Sequence, residues 1–418
     1  MVTIQRNMYL QHLIARRHNG MIKVVTGMRR SGKSFLLFQL FRQYLTNQGV
    51  DDGHIISIAL DDRMNRELRD PDVLCAYVRS KITDGEMYYI MLDEVQFVNE
   101  FEDVLNSFLH IPNADVYVTG SNARFLSKDV ITEFRGRGDE VRIFPLSFRE
   151  YLSAWDGSRE RALDEYMTYG GLPQILSLGS AEQKTSYLKN LFVETYMTDI
   201  KERYHIQRDE ELEELINIIS SSIGSLTNPH KLVNTFRSVK NVKIDQATVK
   251  SYLDYLCDSF LVERAIRYDV KGRHYIDTPS KYYFADIGLR NARLNFRQDE
   301  RTHIMENVVY NELRIRGFNV DVGIVPTTYT DENGARRKVQ LEIDFVCNQG
   351  SRRYYVQSAY HIGSDEKRQQ EQASLIKVGD SFKKIVVVGD DIAIHRNEYG
   401  ITTMGIFDFL TNEHSLDL

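Results

Sequence analysis

The chain has 418 residues, of which 42% are apolar and 27% charged, an ordinary mixture for soluble globular domains; this length suggests two to four domains of about 100–200 residues each. Its net charge of −6 gives the whole chain no pull toward nucleic acid, so any such binding has to come from a local patch. No apolar run approaches the ~20 residues of a membrane span, the N-terminus lacks an apolar signal core, and Cys75, Cys257 and Cys347 have neither metal-ligand nor disulfide spacing, so a cytoplasmic protein with reduced thiols is expected.

Residues 21–26 read as a short buried strand. A glycine-rich loop follows at once: Gly27, Met28, Arg29, Arg30, Ser31, Gly32, Lys33, Ser34, and then Phe35 at the start of an apolar helix through residue 41. Strand, G-x-x-x-x-G-K-S and helix together form the setting a phosphate-binding loop needs. Gly27 and Gly32 let backbone N–H groups turn toward phosphate oxygens. Lys33 reaches the β- and γ-phosphates, and Ser34 offers a hydroxyl to Mg²⁺.

Further strands are expected at 54–60 and 88–92. The second runs into Asp93 and Glu94, an acidic pair that suits metal holding by Asp93 and polarisation of an attacking water by Glu94. A fourth strand, 115–120, ends at Ser121 and Asn122. A polar side chain there would stand beside the γ-phosphate, because ligands bind at the carboxyl edge of such sheets; a plain Gly-Ser-Asn turn is the alternative. Arg135 and Arg137 precede a fifth strand at 140–144. Either could reach a neighbouring subunit's γ-phosphate, or both could belong to a solvated basic turn.

These pieces, with TGSNA at 119–123, GRG at 136–138, FPLSFREYL at 144–152, YGGLP at 169–173, TDIKERY at 198–204 and YYFADIGLRNA at 282–292, resemble prokaryotic AAA-type ATPases that carry a C-terminal domain of unknown function. The resemblance implies a parallel α/β ATPase core, ATP rather than GTP, and Mg²⁺. It also implies that Gly170–Pro173 could feel the nucleotide from a lid, where the bland reading is a helix-stopping turn.

Residues 149–208 carry a helical pattern and are expected to form that lid. Helices follow at 210–225, 228–239 and 245–260, then two extended segments, 261–266 and 282–285. Three helices and a hairpin make a winged helix. Its candidate recognition helix sets Asp245, Asp254 and Asp258 against Lys250 alone, a face that phosphate repels. The hairpin is more basic, with Arg264, Arg267, Lys271, Arg273 and Lys281, and is the candidate DNA contact; packing against protein, or self-association, is the alternative.

The last segment places a helix at Glu306 and strands at 320–325, 341–346, 354–359 and 384–389. This layout resembles the restriction-endonuclease-like PD-(D/E)XK fold. Glu306 and Asp344 suit its two metal-binding acids, but Gln357 and Ala359 fall where Glu and Lys belong, so a degenerate domain is expected. The expected organisation is an ATPase core over 1–155, a helical lid over 156–208, a winged helix over 209–292 and the nuclease-like α/β domain over 293–418.

Overall fold

The computed structural model describes residues 4–120, 136–240, 244–330 and 335–418. It divides into two compact units. The first comprises Met1–Pro145, Leu172–Ser177 and Asp258–Phe260, and the second comprises Leu146–Gly171, Leu178–Cys257 and Leu261–Leu418.

In the first unit, strands β1 (Ile22–Gly27), β2 (Ile55–Ala59), β3 (Tyr88–Asp93), β4 (Ala114–Thr119) and β5 (Gly138–Ile143) form a parallel sheet in the order β2-β3-β4-β1-β5. A parallel sheet is covered on both faces, so its inner strands are largely apolar, while the edge strand β5 (GDEVRI) is not. The alternation is nevertheless complete. Ile22, Val24, Ile90, Leu92, Val116 and Val118 feed one core, while Val25, Tyr89, Met91 and Tyr117 feed the other. All five carboxyl ends share one edge, and β4 lies between β1 and β3. The loop after β1 and the acidic turn after β3 therefore flank the end of β4. The helix after the glycine loop runs Lys33–Phe35, widens to π register over Leu36–Phe41 and returns to α over Arg42–Asn47. Such widenings are rare and collect at functional sites.

The second unit contains helices Asp209–Ser221, Pro229–Thr235 and Gln246–Asp258, then an eight-stranded mixed sheet. Its strands are β6 (Val262–Asp269), β7 (His274–Phe284), β8 (Asn319–Thr330), β9 (Arg336–Gln349), β10 (Arg352–Ala359), β11 (Lys383–Val388), β12 (His395–Arg396) and β13 (Ile401–Gly405), in the order β12-β13-β11-β10-β9-β8-β6-β7. The hairpin expected as a wing, β6–β7, thus forms one edge of this sheet, because β6 pairs in parallel with β8. Helix Arg301–Ile315 brings Tyr310 against Tyr283 (4.2 Å between ring centroids) and Phe345 (6.1 Å). On the opposite face, Leu375 of helix Asp365–Lys377 joins a core with Ile343, Val346, Tyr355 and Ala359.

A bulge decides which residues of β9 meet the first of those helices. Ile343 and Val346, three apart, share one core, which a strand of period two does not allow. The β8–β9 register shifts between Asp321 and Gly323, so Asp344 and Phe345 together oppose Val322. Both then turn toward helix Arg301–Ile315, as a bulge permits.

Candidate functional site

The glycine loop is built by close backbone approach. Gly27 has φ 134°, and a Cβ on it would stand 2.0 Å from the Ile143 carbonyl oxygen of β5. Only glycine lets β1 end there. Gly32, at φ 97°, opens the following helix in a conformation that costs other residues strain. The Ser31 hydroxyl donates to the Met28 carbonyl at 2.8 Å. Arg6, itself buried, donates to the Ser31 carbonyl at 3.1 Å and to the Phe144 carbonyl at 2.7 Å, tying the loop to the end of β5.

Lys33 is 5% exposed. Its ammonium donates to the carbonyls of Gly27 (3.1 Å) and Met28 (3.0 Å), both neutral acceptors. Burial pushes its pKa down to about 8, although Glu94 and Asp93 pull the other way. This is a cation short of negative charge, at a helix N-terminus whose N–H groups also favour an anion.

The end of β3 supplies the acids. Burial raises the pKa of Asp93, opposed by the hydroxyls of Thr119, which donates to its carboxylate, and Ser34. Thr119 ends β4 and works in two directions: its hydroxyl donates to Asp93 and accepts the Glu94 backbone N–H at 3.0 Å. Glu94 sits at φ 51°, a strained conformation for this residue type, and its carboxylate accepts from the Gln96 side chain. Ser34 and Asp93 offer the hard oxygen donors that Mg²⁺ takes, and Mg²⁺ needs only one or two such protein ligands when phosphates and water complete its shell. Among the described residues no group of three or more His, Cys, Asp or Glu could hold a metal ion unaided.

Of the other expected residues, Met28 is buried, Arg29 half-buried, and Arg30 and Phe35 exposed. Arg137 is exposed, and its carbonyl accepts the Ile22 N–H at 2.8 Å, which extends the β1–β5 pairing. Ser121, Asn122 and Arg135 lie outside the described residues. Sequence reasoning missed Thr119 and Arg6. Thr119 was visible as the polar residue just before the glycine that closes its expected strand. Arg6 carried no signal, because its partners lie 25 and 138 positions away.

The second unit holds another constellation of acids around a lysine. Lys281 of β7 is 3% exposed; its ammonium lies 2.8 Å from Glu306, 2.8 Å from Glu342 and 3.6 Å from Asp344. Tyr283 donates its hydroxyl to Glu306 at 2.7 Å. Burial alone would raise the Glu306 pKa, but Lys281, His303 and Tyr283 together hold it below the ordinary glutamate value. Burial and the Glu306 charge raise that of Asp344 instead. Lys281 is raised: burial works against its charge, but the three carboxylates outweigh it. Gln357 and Ala359, expected beside these acids, belong to the other face of the sheet. Gln357 donates to Glu371 of helix Asp365–Lys377 at 3.2 Å, and Ala359 lies in the core on that side. The Gln357 side-chain oxygen accepts the Asp344 backbone N–H at 3.3 Å, but the Asp344 carboxylate itself accepts the backbone N–H of Ser358, at 2.9 Å. The lysine of this cluster therefore comes from β7.

Two motifs of this unit interlock. Asp286 accepts the Gly171 N–H at 2.8 Å and the Leu289 N–H at 3.1 Å, and a Cβ on Gly170 would stand 2.2 Å from its carboxylate. Gly170 and Gly171 thus have a structural duty in seating helix Ile287–Arg293.

Residues 19–152 match the family model described as an AAA domain, and residues 160–300 match a domain of unknown function. The second match falls on the middle of the chain, rather than on the C-terminal segment to which the resemblance assigned such a domain. An uncharacterized protein of Haemophilus influenzae is 33% identical over 392 residues, covering 92% of this chain and 93% of its own. An uncharacterized protein of Methanocaldococcus jannaschii is 26% identical over 391 residues, covering 88% of this chain and 82% of its own. Among solved structures, DnaA of Aquifex aeolicus bound to AMPPCP aligns over 61% of this chain and 89% of its own at 15% identity and a TM-score of 0.32.

Proposed function

We propose, for a chain that belongs to the family of the Haemophilus influenzae protein and carries an AAA domain, that it binds ATP with Mg²⁺ and hydrolyses it. The observation that carries this reading is the junction at Asp93. One carboxylate accepts the hydroxyl of the neighbouring strand (Thr119) and feels that of the helix after the glycine loop (Ser34), beside an ammonium that, among the described residues, donates to carbonyls rather than to a carboxylate.

In this reading the backbone of Gly27–Ser34 cradles the phosphates, with Met28 and Ser31 packed beneath, Arg29 and Arg30 on the rim, and Phe35 exposed where the helix begins. Lys33 exchanges its two carbonyl partners for phosphate oxygens. Ser34 and Asp93 hold Mg²⁺, which when bound neutralises charge on the β- and γ-phosphates. Thr119 fixes the rotamer of Asp93 and the backbone of Glu94 together. Glu94 takes the proton of the attacking water, and Gln96 holds its carboxylate until then. Asn122 is assigned to orienting that water. Arg137, with Arg135, is assigned to a neighbouring subunit's nucleotide, so mass in solution should rise with ATP and fail to rise in Arg137→Ala.

Residues 156–208 are proposed as the lid and the three helices before β6 as a winged-helix-like responder, with the nuclease-like resemblance of the remainder kept for assembly. Phosphate release from ATP should fall about 10²–10⁴-fold in Glu94→Gln, the usual share of a general base. Equal rates in the two proteins would remove Glu94 from this role.

A further inference from the structure

The second unit contains an open cleft of about 540 Å³. It lies where the β6–β7 turn, the β9–β10 turn and residues 378–382 converge. Its size is that of a small-molecule or nucleotide site, about 300–1,000 Å³. Four cations line it: Lys271, Arg273, Arg352 and Arg353, against Asp380 as its one acid. In a chain of net charge −6, this is a local reversal of sign.

The cations are held without being neutralised. Among the described residues none of the four lies within ion-pair distance of a carboxylate. Lys271 donates to the Pro326 carbonyl at 2.9 Å, and Arg353 to the Asn348 side chain at 2.7 Å. The nearby acids are occupied by neutral donors. Asp380 accepts the Tyr355 hydroxyl at 2.6 Å, and Asp269 accepts the Lys271 and Gly272 N–H groups. The Arg353 guanidinium lies 5.3 Å from both the Tyr268 and Phe382 ring centroids, so its plane is fixed on the cleft floor.

The positive surface continues beyond the cleft. Lys271 reaches Pro326 on β8, and from there the β8–β9 arm carries exposed Arg336, Arg337 and Lys338 and the exposed ring of Tyr329. Tyr275, also exposed, packs at a 57° tilt against Tyr268 beside the cleft, with 5.2 Å between ring centroids. A basic track with aromatic faces along it matches what an unpaired nucleic-acid strand needs: cations for its phosphates and rings for its unstacked bases.

We propose that this cleft and arm bind single-stranded nucleic acid, with Arg273 and Arg352 contacting phosphates. The proposal does not depend on ATP hydrolysis. Its test is fluorescence anisotropy of a labelled oligothymidylate, about 20 nucleotides to exceed the ~4–16 a single-strand site covers, titrated with the full chain without nucleotide across a range of NaCl. Binding should weaken linearly on a log–log salt plot. Arg273→Glu with Arg352→Glu should weaken it about tenfold or more and reduce the slope by about 1.4, some 0.7 for each lost phosphate contact. Arg273→Lys with Arg352→Lys should keep most of the binding. Circular dichroism and ATP phosphate release serve as controls and should match wild type in both variants. Absence of salt-dependent binding, wild-type affinity in the folded charge-reversal variant, or equal affinity for a duplex of the same length would each overturn the proposal.

Discussion

Two of the buried lysines, Lys33 and Lys281, lie near carboxylates, and the two regions treat them oppositely. Lys33 is 5% exposed and Lys281 3%, so both pay for desolvation. Burial and surroundings leave Lys33 with a pKa lowered to about 8, whereas the pKa of Lys281 is raised. The difference lies in what each ammonium touches. Lys33 donates to two backbone carbonyls, with Asp93 and Glu94 acting only at longer range. Lys281 sits directly on Glu306 and Glu342 with Asp344 close by. A buried cation facing dipoles still has affinity for an anion; one enclosed by carboxylates has none left to offer. The first arrangement suits a binding site and the second a structural cluster.

The comparison can be broken by removing each lysine in turn. Lys281→Met should cost about 3–5 kcal/mol of stability in chemical denaturation, because it strands like charges in a buried site. Adding Glu306→Gln should recover part of that loss. A variant as stable as wild type would show that the cluster does not depend on its cation. Lys33→Met should leave the denaturation midpoint unchanged or higher, since it removes a desolvated charge. It should weaken ATP binding by about 1.5–3 kcal/mol, the range for a hydrogen bond to a charged group, as read by calorimetric titration.

Thr119→Val should be milder. It deprives Asp93 and the Glu94 N–H of their shared partner, and turnover should drop roughly tenfold, or about 1.4 kcal/mol, with a higher Mg²⁺ requirement. Unchanged Mg²⁺ dependence would separate Thr119 from the metal-holding role given to Asp93. The smallest effect is a proton count. At pH 9 Lys33 of the free protein is mostly neutral, because its pKa is about 8. Bound phosphates raise that pKa again, so ATP binding should take up about 0.9 proton at pH 9 and about 0.1 at pH 7. Calorimetry in two buffers of different ionisation heat measures this, and zero uptake at pH 9 would mean that Lys33 does not meet the phosphates.

Much of the first unit was legible because its cause is local. Buried parallel strands are continuous apolar runs, and the glycine loop and Asp93-Glu94 announce themselves by spacing. The π register of residues 36–41 was not legible, since it depends on how the helix packs rather than on its composition. In the second unit the decisive contacts are remote. The pairing of β6 with β8 joins Arg267 to Val322, and no period within either strand reports it. Counting two residues on from Gln357 led to Ala359 as the missing lysine position, while the ammonium came from β7, 25 residues before Glu306. The bulge at Asp344 was equally silent, because it is a property of two strands in register.

That bulge also sets which lesions the chain can bear. Losing one residue at 344–345 would let β9 resume an unbroken ladder with β8. No remaining side chain would change face, because Ile343 and Val346 already share one core, whereas losing a residue elsewhere in β9 would exchange core for surface on one side of the lesion. Insertions at the exposed β9–β10 turn near Gly350 alter no such alternation. Length variation among relatives of this chain should therefore collect at turns like that one and, within β9, be limited to loss of the extra residue at the bulge, even where substitutions are freely accepted.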